Sequence, residues 1–403
     1  MMTNSAEEFD VCIVGASIAG NYLSYLLSKT DLNVVVVEEH SDIGSPLQCA
    51  GIISQKISKL INLPNNIVKN RVQIAKLVSP SGKFIELSGN ERPYIIDRVA
   101  LDKHFYSLAQ SNPKISFYLG EKAKSITILK KDSPPSVLIT TTKRLIKCKM
   151  LIGCDGPTSF VGSFLNVTNK LLYATQIRMK AQFNEHQAVL VFNPRWKELF
   201  GWIVPEGDNT YRIGMASSDQ IKDKFNAFLR ILNINYKNKM DQQGGLIPYG
   251  MMNKCAFNNI LLLGDAAGQV KATTGGGIVM LISAAKIASE CIQQSFKNND
   301  FSKRFLKKHY EIPCRVSIGG QLKIHFLIRK ILESLNLDEF DCFFDIIKLN
   351  RIEKLISVYG DMDFPRELAI KMLRNPMILK FLLKFIIRRP ILLLKILIVL
   401  MRA

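Results

Sequence analysis

Near the start of the chain, one turn and one acid have the types and spacing to hold a dinucleotide. Gly15-Ala16-Ser17-Ile18-Ala19-Gly20 separates the apolar run Val11–Val14 from residues 21–29, where Tyr22, Leu23, Leu26 and Leu27 fall at helical spacing. Val34–Val37 follows and ends at Glu38. Strand, glycine turn, helix, strand and acid form the first unit of a dinucleotide-binding fold. Gly15 permits the tight turn, and Gly20 lets helix and strand pack closely. Position 17 must let backbone approach a pyrophosphate seated on the free N–H groups of the helix start. Glu38 can accept hydrogen bonds from both ribose hydroxyls. The usual second glycine is Ser17 here, whose Cβ narrows the approach.

Other elements must position that turn. Residues 72–88 read as a hairpin around Ser81-Gly82, and Tyr94–Arg98 as a short strand running into a helix with Leu101, Phe105, Leu108 and Ala109 on one face. Residues 115–128 and 136–148 read as strands joined by a turn at 130–135. Met150–Gly153 is an apolar strand ending in Cys154-Asp155-Gly156. Residues 172–217 are mostly strand-like, and 219–232 and 278–296 helical. Everything after Phe301 reads as helix.

The 403 residues allow two or three domains, and 47% hydrophobic with 22% charged residues is a globular composition. A net charge of +20 favours an anionic partner. Eight scattered cysteines without CxxC, and Glu7 and Glu8 where a secretory leader would be apolar, point to a reducing cytoplasm. Five histidines without ligand spacing give no metal site, and no GxSxG elbow suggests a serine hydrolase.

The order GASIAG…Glu38, Cys49-Ala50-Gly51, Ile96-Asp97-Arg98, Cys154-Asp155-Gly156 and Gly264-Asp265-Ala266-Ala267-Gly268…Gly275-Gly276-Gly277-Ile278 resembles the geranylgeranyl reductase family of flavoproteins. That family lies within the p-hydroxybenzoate-hydroxylase-like superfamily. The resemblance covers roughly residues 9–295. Pro46-Leu47-Gln48-Cys49-Ala50-Gly51 is similar to the reductases' PxxCxG loop. Phe200-Gly201-Trp202-Ile203-Val204-Pro205, followed by Gly214, is similar to their YxWxFP…GxG signature, with Phe200, Val204 and Ala216 as departures.

The resemblance implies an α/β fold: a discontinuous Rossmann-like FAD-binding domain (1–60, 94–165, 250–300), an inserted β-rich substrate domain (61–93, 166–249) and a helical C-terminal region (301–403). It implies FAD held by Gly15, Ala16, Ser17, Ala19, Gly20, Glu38, Cys49, Ala50, Arg98, Asp155, Gly156, Asp265, Gly275, Gly276, Gly277 and Ile278. Asp265 would accept from the ribityl chain, or cap the helix beyond. Three glycines opening a helix suggest close backbone approach to the isoalloxazine, with the helix dipole favouring negative charge there. Arg98 would contact the cofactor or simply pair with Asp102, four residues on. Asp155-Gly156 would close the domain or merely turn the chain. Cys49 would lie at the reactive face as proton donor or substrate guide, or be a small buried hydrophobe. Phe200, Trp202 and Pro205 would line an apolar tunnel.

The tail is separate. From Phe364 to Ala403 there are nine Lys/Arg against one acid, Glu367. No uncharged stretch reaches the roughly 18 residues a spanning helix needs. Lys380, Lys384, Arg388, Lys395 and Arg402 fall within about an 80° sector at helical pitch, with Arg389 outside it. A basic stripe on an apolar helix, broken at Pro390, suits a segment lying in a membrane interface, and an amphipathic pair packed on the core is the other reading.

These readings converge on a peripheral membrane FAD-dependent reductase of isoprenoid phospholipid double bonds. NAD(P)H or ferredoxin would be the electron donor, and nucleic acid no partner, since the basic charge is not interleaved with stacking aromatics. An FAD monooxygenase and a membrane-associated nucleotide-binding scaffold are the alternatives.

Overall fold

A computed structural model describes residues 5–401. The strand Glu7–Val14 lies at the centre of an eight-stranded sheet. Leu145–Gly153 and Val34–Val37 flank it in parallel, followed by Ile260–Leu262 on one side and Ile115–Tyr118 on the other. Parallel strands are covered on both faces, which is why Val34–Val37 is apolar throughout and buried throughout. The helix Ile18–Leu27 packs against Arg98–Gln110 and Ile278–Asn298, with Tyr22 edge-on to Phe105 at 4.8 Å.

The expected strand over 115–128 is two. It breaks at Gly120, which has φ +63°, where Gly120 and Glu121 donate to the carbonyls of His40 and Glu38. Ala123–Leu129 then turns away to pair with Ser136–Thr141. The turn at residues 119–122 thereby closes the sheet edge beside Glu38.

A second sheet of seven strands runs in the order Asp241–Tyr249, Lys170–Lys180, Thr210–Ser217, Gly201–Gly207, Gln187–Val191, Ile74–Val78, Phe84–Leu87. One face packs on the helix Ile221–Ile231 through Ile203, Ile213, Phe225 and Phe228. The other packs on the C-terminal helices, where Phe192 meets Phe340 and Phe344. A three-stranded sheet of Ile52–Ile53, Tyr94–Ile96 and Val68–Arg71 lies between the two.

The region after Phe301 is helical, with two π turns, Lys307–Glu311 and Arg315–Gly319, on either side of Pro313. Proline has no N–H to donate and its ring crowds the preceding turn, so the helix widens around it. Leu337–Leu349 starts with a capping box between Asn336 and Glu339. The tail breaks at Pro390 into Pro376–Ile387 and Pro390–Met401. No described helix is long and apolar enough to cross a membrane. Arg402 lies outside the described residues, as does the side chain of Lys395.

Candidate active site

Gly15 has φ +101°, and a Cβ there would meet the Cys154 carbonyl oxygen at 2.5 Å. At Gly20 a Cβ would lie 1.9 Å from the Gly15 carbonyl oxygen. Both glycines are therefore required by packing. Glu38 holds the turn from the next strand, accepting from the Ala16 amide at 2.7 Å. Ala16 and Ala19 are buried beneath it. The helix that follows has neither a side-chain cap nor an acid in its first turn, so its amides stay open to an anion. Ser17 is exposed, and its hydroxyl accepts from Arg98 at 2.9 Å.

Arg98 also pairs with Asp102, so the expected helix pair and the contact with the nucleotide turn coexist. Burial opposes its charge, but Asp102, with Cys49 and Asp265 also in electrostatic reach, outweighs burial and raises its pKa. Asp155 is used locally: its carboxylate accepts from Ser159 and from the Val161 amide at 3.0 Å, starting the helix Phe160–Phe164. Gly156, at φ +75°, completes that turn.

The Cys49 loop is held by residues far away in sequence. Arg212, buried in the second sheet, donates to the Ala50 carbonyl at 3.0 Å and pairs with Glu206. Gln176 donates to the Cys49 carbonyl at 3.0 Å and to Gln243 at 2.6 Å, and accepts from Trp202 Nε1 at 3.2 Å. Cys49 Sγ accepts from the Gly51 amide at 3.2 Å. Neither Gln176 nor Arg212 was expected from the sequence. The available signal for Arg212 was a cation in the mostly apolar run Tyr211–Ala216, six residues after Glu206.

Asp265 opens a short 3-10 turn, Gly264–Ala267, and its carboxylate takes no hydrogen bond among the described residues. Burial pushes its pKa up to about 6, against the pull of Arg98. It does not cap the following helix: Gly277 occupies that position, without a side-chain cap or a first-turn acid, and Ile278 is the first helical residue. A Cβ on Gly277 would lie 3.5 Å from Asp265 Oδ1, so turn and helix start form one cradle.

Residues 271–277 are braced from the C-terminal region. Lys271 pairs with Asp363 at 2.5 Å, both buried. Thr273 Oγ1 lies 2.5 Å from His325 Nδ1, and His325 Nε2 lies 3.1 Å from the Asp363 carbonyl oxygen. Buried Arg329 donates to the carbonyls of Ala272 (3.0 Å), Thr273 (2.6 Å) and Lys197 (3.4 Å). Nearby, carboxylates of Glu91, Asp361 and Asp363 lie within 4.8 Å of one another. Lys56 pairs with Asp361, Lys271 with Asp363, and Ser54 donates to Glu91, so this cluster ties together the segments carrying residues 54–56, 91, 271 and 361–363.

A cavity of about 420 Å³ joins these parts. Its lining includes Cys49, Ala50, Gly275 and Gly276, the apolar Phe200, Trp202, Val204 and Ile247, and the acids Glu91 and Asp361. Gly214 makes room for the indole: a Cβ there would meet Trp202 Cζ2 at 2.6 Å. Pro205 is not in the lining. Side chains alternate along Gly201–Gly207, which puts Trp202 and Val204 on the cavity face and Pro205 on the other.

Two bare helix starts, a ribose-height acid and a free carboxylate fit a flavin dinucleotide. The comparisons agree. Residues 8–224 match the model of an FAD binding domain. An uncharacterized protein of Methanocaldococcus jannaschii is 29% identical over 91% of this chain and 95% of its own. A digeranylgeranylglycerophospholipid reductase of Methanococcus vannielii is 27% identical over 93% and 97%. The crystal structure of a geranylgeranyl bacteriochlorophyll reductase-like protein from Thermoplasma acidophilum superposes with a TM-score of 0.79 at 21% identity, covering 92% of this chain and 99% of that one. Since the family model spans more than half of the chain and the geometry fits its cofactor, the chain belongs to the FAD binding domain family, and its cofactor is FAD.

Proposed function

We propose that this protein reduces carbon–carbon double bonds in the isoprenoid chains of membrane phospholipids. The carrying observation is the largely apolar cavity whose lining includes Cys49 and the Gly275–Gly276 turn. An apolar channel suits a hydrocarbon chain, which offers few polar handles and must be positioned by shape. The named reductase relative supports the same substrate class.

When bound, reduced FAD supplies the hydride. The chain's part is placement: Gly275–Ile278 and Asp265 hold the ring and its polyol, Ser17 and Gly20 the pyrophosphate turn, Glu38 the ribose. Phe200 and Trp202 press the alkene toward the ring. Cys49 Sγ is the proton source at the second alkene carbon, its loop fixed by Arg212 and Gln176. The tail attaches the enzyme to the membrane surface, with Met377, Leu383 and Ile387 exposed on the helix that carries Lys380 and Lys384.

The test is anaerobic incubation of the dithionite-reduced, FAD-loaded protein with an unsaturated ether phospholipid, read by mass spectrometry. Products heavier by pairs of hydrogens are expected. Unchanged lipid, with flavin reoxidised only on admission of oxygen, would sink the reading and favour a monooxygenase. Cys49→Ala should lower turnover by about a hundredfold while leaving FAD bound, as expected for loss of a general acid. Unchanged turnover removes Cys49 from the chemistry.

A further inference from the structure

A recess separate from the flavin cavity opens at the corner between Pro376–Ile387 and Pro390–Met401. It measures about 500 Å³, and its wall carries Lys197, Lys330, Arg388 and Arg389 against one acid among the described residues, Glu333. Lys330 is engaged with Glu333 and Tyr249, and Arg389 with Glu339. Lys197 and Arg388 are exposed and form no ion pair among the described residues. Around the corner, Leu383, Ile387, Ile391 and Leu394 are 52%, 77%, 70% and 57% exposed.

Aliphatic side chains beside a cationic hollow match the layering of a membrane surface, where phosphate lies just above hydrocarbon. We propose that this recess receives the phosphate of an anionic lipid headgroup while the surrounding aliphatic side chains enter the hydrocarbon. The proposal rests on the reading that the tail lies on a membrane, and it adds where and how. Lys197 comes from the sheet domain, not the tail, so one phosphate bridges the two and fixes the orientation of the enzyme. The same short segment places Leu199 and Phe200 in the cavity wall. Docking at the recess therefore sets the cavity at a fixed height above the lipid.

The test uses the full FAD-loaded chain and sedimentation with vesicles of phosphatidylcholine, alone or mixed with phosphatidylglycerol. Lys197→Glu/Arg388→Glu should lower binding to the mixed vesicles by about tenfold or more, at roughly one kcal/mol per basic residue near the surface. Lys103→Glu/Lys124→Glu, the same charge change at exposed sites on the nucleotide domain, should lower it by no more than about twofold. Lys197→Gln/Arg388→Gln repeats the experiment with a milder change, and a thermal melt confirms folding. Equal losses from the recess and control pairs, or no loss from the recess pair, overturn the recess. Wild-type binding that is equal on both vesicles also overturns it but leaves tail attachment standing, whereas no binding to either refutes attachment itself. Competition by inorganic phosphate at constant ionic strength would assign the recess to a soluble phosphate and overturn the lipid.

Discussion

The two glycine-rich turns assigned to the flavin under the proposed function are built in opposite ways. The turn at 15–20 is braced within its own sheet: Gly15 lies against Cys154, Gly20 against Gly15, and Glu38 holds Ala16. The loop at 271–277 is braced from outside, by His325, Arg329 and Asp363. Both lead into an uncapped helix start. A site can thus be made of one part fixed by neighbours in sequence and another fixed only when a distant region docks.

The largest blow to the local brace is Gly20→Val. The Cβ has no room and the obstacle is backbone, so the purified protein should carry no flavin and show no yellow absorption. Retained FAD would mean the turn adapts, and the contrast between the two loops would weaken.

Arg329→Met attacks the distant brace. It strands buried carbonyl groups and should cost roughly 3–5 kcal/mol, with FAD affinity falling in a fluorescence titration. Unchanged affinity in a folded variant would show that the 271–277 loop stands by itself.

The distant brace also responds to pH. Burial, with Lys271 nearby, lowers the His325 pKa from 6.5 to about 4. The unfolded chain therefore takes up the proton first as pH falls. The stabilisation is complete above about 6.5 and is lost on acidification toward 4, up to about 3 kcal/mol. His325→Gln should flatten that part of the profile in chemical denaturation across this window. An unaltered profile would exclude His325 as its source.

The smallest effect is expected from Glu38→Gln. It keeps an acceptor for the Ala16 amide but removes the charge, costing about 1 kcal/mol and weakening FAD binding several-fold. A loss as large as that of Arg329→Met would mean the local brace depends on charge rather than geometry.

These differences also explain what was readable in the sequence. Gly15, Gly20, Glu38 and the Gly275–Gly277 run stand in local contexts of strand, turn and helix, so the turns and helix starts they form follow from spacing. Gln176 and Arg212 act on residues 49–51 across more than a hundred positions, and no local pattern joins them. Helix Gly320–Glu333 did carry a signal. Leu322, His325 and Arg329 are its buried face, so a histidine and an arginine share a stripe that spacing alone marks as core. Pro205 shows the converse, for a motif names its residues while strand alternation decides which of them face the cavity.

The brace on the 271–277 loop has a consequence for the order in which the protein matures. A nascent chain can complete its nucleotide turn once residue 154 has emerged. The 271–277 loop must wait for residues 325, 329 and 363, synthesised after the whole sheet framework is in place. The setting of that loop is therefore one of the last events in synthesis. A fragment ending near residue 300 would hold both glycine-rich turns and still lack the groups that set one of them.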